Sequence, residues 1–183
     1  MKRIRAAIAV ASTVLVAATA GLAQHTGHGQ HQKQSPYADL TTRPIKALSN
    51  DQLADLRLGR GMGLSLPAEL NGYPGPKHVL ELADQLALSA AQRTTTSRLI
   101  DAMSAEAMAI GAEMISQEAA LEALFADHVA DDERVRAAVD RIGALQGNLR
   151  FVHLKYHLAM QAALTPDQIK QYAARRGYTP TKQ

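Results

Sequence analysis

Apolar and polar positions fall into three regimes along the chain. Ala6 to Ala20 is an uninterrupted small and apolar run, Gln24 to about Arg43 has almost no aliphatic residues, and from Ser89 onward apolar residues recur at alternating spacings of three and four. In that last stretch Ile100, Met103, Ala107, Ile110, Met114, Gln117, Leu121 and Leu124 form one series, and Val135, Ala138, Ile142, Leu145, Leu149, Val152, Tyr156 and Ala159 a second. Such spacing places one apolar stripe on each of two helices, about Ser89 to Asp127 and Asp131 to Leu164. The turn between them is short, so the helices are expected to fold back antiparallel. Pairing Leu124 with Val135, Met114 with Leu145 and Met103 with Tyr156 sets every seam position against another.

Helix starts are marked by one pattern, L-[ST]-x-x-Q, which occurs at Leu48 to Gln52, Leu88 to Gln92 and Leu164 to Gln168. Its physics is a capping box: the Ser or Thr oxygen accepts from the amide three residues on, and the Gln side chain returns to the amide of the cap residue. Ser89 with Gln92 and Thr165 with Gln168 therefore open two helices, each preceded by an apolar Leu88 or Leu164. Pro166 stands at the first helical position of the second, where its missing N–H costs nothing. A shorter helix is expected from Pro76. The Gly- and Pro-punctuated stretch between Arg57 and Pro76 is expected to be a loop, and its Gly-x-Gly-x-Gly lacks the preceding strand of a nucleotide-binding turn. The fold class is thus all-α, a long antiparallel helical hairpin with shorter flanking helices. Helices of this length leave much surface wet, and a homodimer is the expected remedy.

The first regime has the layout of a secretory signal peptide: Lys2, Arg3 and Arg5, then about 15 apolar residues, then the small residues Gly21-Leu22-Ala23. The run is shorter than the roughly 20 residues that span hydrocarbon. Export to the periplasm is expected, with the membrane met only during passage. The resulting organisation is a leader at 1–23, a flexible His-rich tail at 24–47, a helical domain at 48–178 and a disordered end at 179–183.

Removing the leader changes the electrostatics. Three of the 20 Lys and Arg residues and none of the 17 Asp and Glu residues precede Gln24, which leaves 17 of each sign. The basic pI belongs to the leader, and nucleic acid is not an expected partner. The chain has no cysteine, so any metal must be held by His, Met and carboxylates.

Candidate metal ligands follow from that restriction. His25, His28 and His31 lie in the polar tail, where neutral imidazoles can gather on copper, nickel or zinc. His153 and His157 form H-x-x-x-H on one helical face. The seam pairing sets Glu106 across from His153, and His78 opens the preceding helix. Met160 adds a thioether. Nothing resembles a nucleophile elbow, a paired acid and base, or a phosphate cradle, so the expectation is a protein that is not an enzyme and requires no cofactor.

The leader, the His-bearing tail, the hairpin and the motifs Leu88 to Gln92 and Leu164 to Gln168 together resemble the Spy/CpxP-like periplasmic chaperones and their relatives, the periplasmic heavy-metal sensors and zinc-responsive resistance proteins. Ser89 stands where that family has Thr. The resemblance implies a helical homodimer that either shields unfolded envelope proteins without ATP, the leading expectation for this chain, or, as the alternative, binds Zn, Ni, Co or Cu and reports to a membrane-bound signalling partner. It also implies that His153, His157 and Met160 are candidate ligands, because ligands in the metal-sensing relatives lie on the helices.

Overall fold

The computed structural model describes residues 35–178. The expected leader at 1–23 and His25, His28 and His31 lie outside that range, as do residues 179–183. A 3-10 turn at Ala38–Thr42 is followed by α1 (Asn50–Arg57), α2 (Leu66–Glu69), α3 (Pro76–Glu81), α4 (Ala90–Ala126), α5 (Asp132–Ala163) and α6 (Pro166–Arg176). No strand occurs among the described residues, and no described helix is long and apolar enough to cross a membrane.

All three L-[ST]-x-x-Q sites are complete capping boxes. At Ser89 the hydroxyl accepts from Gln92 N at 3.2 Å while Gln92 Oε1 accepts from Ser89 N at 3.0 Å, and Thr165 with Gln168 repeats both distances. The two later motifs also bind each other. Gln92 Nε2 donates to Gln168 Oε1 at 2.8 Å, and Gln168 Nε2 donates to Gln92 Oε1 at 3.1 Å. The remaining amide protons go to Ala163 O and Leu86 O. Each glutamine thus caps its own helix and ties α4 to α6, so the motif is a joint as well as a start signal.

α4 and α5 form the antiparallel hairpin. Contacts from Glu113 to Arg141, Glu106 to Tyr156 and Thr96 to Met160 straddle the pairing expected from the seam. Ala107, Met114, Ile142, Leu145, Leu149, Val152 and Tyr156 are buried as that pattern requires. The second series departs at its end, where Ala159 is exposed and Met160 is fully buried. A straight helix turns once per 3.6 residues, so a stripe written with the heptad's 3.5 drifts off the contact over many turns.

Two apolar clusters result. The first unites Ile45, Leu48, Leu53 and Leu56 with the middle of α4 and α5. Ile45 lies within the segment assigned above to the tail, yet it is buried and Lys46 pairs with Glu122. One aliphatic residue after Pro44 is enough to seat that segment on α4. α1 approaches so closely at Gly111 that a Cβ there would stand 2.2 Å from Leu56 O. The second cluster closes the open end of the hairpin with Val79, Ala83, Leu86, Leu88, Met160, Leu164 and Tyr172. The stretch before Pro76 is more than a loop, since α2 interrupts it and buries Ala68 and Glu69.

Candidate metal-binding cavity

His153 and His157 lie one turn apart on α5 and are both buried, at 3% and 6% exposure. His157 Nδ1 is 2.7 Å from Tyr73 O. A carbonyl only accepts, so Nδ1 carries a proton and donates it here, the tautomer that in a neutral ring leaves the lone pair on Nε2. A second-shell carbonyl orients metal-binding histidines in the same way. Gly75 packs against this ring, and a Cβ there would lie 3.2 Å from Nε2. His153 Nε2 is buried with no hydrogen-bond partner. Burial first, and the neighbouring His157 second, push the His153 pKa down, so its ring stays neutral.

Both histidines line a cavity of about 450 Å³ roofed by residues 58–66 and closed by α4, α5 and the turn into α3. Its other donors are Glu69, His78 and the thioethers of Met62 and Met103, with Arg60, Lys77 and Arg176 also in its wall. The roof carries positive φ at Gly59, Met62 and Gly63, and at 44° Met62 holds a conformation that favours glycine.

Glu69 organises this end of the molecule. Oε2 accepts from Gly75 N at 3.0 Å and lies 3.7 Å from His157 Nδ1. Oε1 accepts from Tyr172 OH and, at 3.0 Å, from Tyr178 OH, with Arg176 Nε at 3.6 Å. Burial and the bond to Glu69 raise the Tyr172 pKa, which keeps its phenol protonated and donating. Gly177, in the left-handed conformation at the end of α6, turns Tyr178 back onto the carboxylate.

The candidates named from sequence separate. His153 and His157 share the cavity. His78 lines it too, but its Nδ1 is 3.0 Å from Glu81 Oε2. Glu106 does not line it: the carboxylate is taken by Lys155 and then Tyr156, which hold it below the usual carboxylate range. The pairing put Glu106 across from His153, but a long carboxylate swings to the nearest cation. Met160 is not available either, because it is fully buried in the second cluster with Thr96 Oγ1 3.6 Å from its sulfur. Glu69 was not anticipated, since it lies in the stretch taken for a loop; Met62, in the same stretch, stands out in the sequence only as a thioether suited to apolar contacts or soft copper(I). Among the described residues no group of three or more His, Cys, Asp or Glu is disposed to hold a metal.

The heavy-metal resistance profile matches residues 66–171, from α2 into α6. The chain belongs to the heavy-metal resistance family. The match takes in both interlocked capping motifs, the hairpin and most of the cavity wall, and the family consists of non-enzymatic proteins of resistance and sensing type. No curated protein and no solved structure matches the chain.

Proposed function

We propose that this chain is an exported, periplasmic metal-binding protein of heavy-metal resistance, with His153 and His157 as the ligands its folded body contributes. The observation that carries this reading is a buried, neutral and unpartnered imidazole one turn from a second whose tautomer is held by a backbone carbonyl, both in one cavity. Buried polar atoms without partners are rare, and an ion is one of the few things that satisfies them. The leader supports export and the family match supports a role with metal. The test is calorimetric titration with zinc, nickel and copper(II) of a chain in which His25, His28 and His31 are alanine. Submicromolar binding that disappears on His153→Ala with His157→Ala is expected; binding only when the tail histidines are present overturns the site.

A second reading, an ATP-independent holdase for unfolded envelope proteins, is favoured by a different observation. Phe125, Val129, Val139, Phe151, Leu158 and Met108 are each 45–62% exposed along the two long helices and the turn between them. Scattered, adaptable apolar groups suit weak contact with many sequences, or with a second copy of the chain. Suppressed aggregation of a reduced client at stoichiometric protein, lost when Phe151 and Leu158 become serine, tests it.

A further inference from the structure

We infer that the cavity selects a soft monovalent cation, Cu(I) or Ag(I), by adding the thioethers of Met62 and Met103 to the imidazoles of His153 and His157; this rests on the metal-binding reading above.

The donor chemistry excludes a harder ion first. Glu69 is the cavity's buried carboxylate, and both its oxygens are already engaged by Gly75, Tyr172 and Tyr178. Freeing an oxygen for a metal would leave buried donors unpaired. Arg176 lies 3.6 Å from the same carboxylate and Arg60 is paired with Asp55, so a dication would enter without a free anionic ligand to offset it. With His78 engaged by Glu81, what remains for an ion are the imidazoles of His153 and His157 and two thioethers, and thioethers are soft ligands that favour Cu(I) over Zn(II) or Ni(II). A monovalent ion with neutral donors also carries half the charge to be desolvated.

Two features show the site is built rather than incidental. His153 Nε2 is an orphan acceptor or donor in a residue only 3% exposed. Met62 is held at φ 44° next to Gly63, which bears positive φ itself, in a conformation that is strained for a non-glycine residue. An unbranched thioether stands at this strained position in the roof of a His-lined cavity and stays 40% exposed, so it is not a core-packing residue. A ligand role accounts for both the residue type and the strain.

The experiment uses the full-length chain lacking only the tail histidines (His25→Ala, His28→Ala, His31→Ala), titrated with silver nitrate and separately with zinc in chloride-free buffer. Silver is expected to bind at least 100-fold more tightly than zinc. Met62→Leu should weaken silver at least tenfold and leave zinc unchanged. Met62→Gly should do the same while melting no lower than the parent, because it relieves the backbone strain and removes only the sulfur. In methyl spectra, silver should shift the Met62 and Met103 signals and spare Met108. Equal or tighter zinc binding, or silver affinity indifferent to both Met62 variants, overturns the selectivity but leaves a His153 and His157 metal site standing. Binding of neither ion overturns both.

Discussion

Two glutamates are almost equally buried in this protein, Glu69 at 6% and Glu118 at 9% exposure, and they live in opposite circumstances. Glu69, at the closed end of the hairpin, accepts from a backbone amide and two phenols and lies near Arg176 and His157. Glu118 shares a face of α4 with Gly111, Ile115 and Glu122, beneath the Ile45 to Leu56 segment, and has no side-chain partner among the described residues. Burial alone pushes its pKa up. Burial of a carboxylate therefore means two different things here, a saturated shell of partners at Glu69 and none at Glu118. The closed end uses polar groups to hold α2, α5 and α6 around a cavity; the far end of the hairpin exposes Phe125, Val129 and Val139, and its polar contacts are surface ones such as Arg134 to Val129 O and Arg141 to Glu113.

The strongest way to break this contrast is Glu69→Gln. It keeps the shape but replaces an acceptor with a donor facing Gly75 N or Tyr172 OH, and should cost about 3 kcal/mol in urea unfolding. Hydrogen exchange of α6 should rise more than that of the hairpin tip. Next comes the glutamine pair: a double-mutant cycle on Gln92→Ala and Gln168→Ala should return a coupling of about 1–2 kcal/mol, for their two mutual hydrogen bonds.

Glu118→Gln should act in the opposite direction, stabilising by a few tenths to about 1 kcal/mol at neutral pH. A raised folded pKa contributes stability that is present below the unfolded value, here 4.5, and is lost as pH rises through the folded value. The gain of the variant over the parent should therefore vanish near pH 4 and grow from pH 4.5 upward in denaturation curves. Smallest of all, Val139→Thr at the exposed tip should stay within about 0.5 kcal/mol of the parent. A larger loss there would mean that the tip is covered in solution.

What the sequence made legible was whatever depends on local periodicity. The capping boxes at Ser49, Ser89 and Thr165 and the ends of α4, α5 and α6 follow from neighbours within four residues, and all stand where that spacing puts them. The pairing of His153 with His157 followed from the same period. Glu69 was not legible because its partners at Gly75, His157, Tyr172 and Tyr178 are set by tertiary packing, and a four-residue helix begun by Leu66-Pro67 leaves almost no periodic trace. Glu106 and Met160 failed for related reasons. Facing positions in a seam say which residues are near one another, but a flexible carboxylate follows the local charge of Lys155, and a drifting stripe turned Met160 inward where Ala159 was expected.

The mutual amide bonds of Gln92 and Gln168 have a consequence for the conditions this fold tolerates. A small helical body with a long open hairpin is commonly closed by a disulfide, and a disulfide yields to reductants while its thiols are prime targets of heavy metals and oxidants. This chain has no sulfhydryl to lose. Carboxamides are poor ligands for thiophilic ions and do not change with redox poise, so the closure of the hairpin is chemically silent toward the very agents the family is named for resisting.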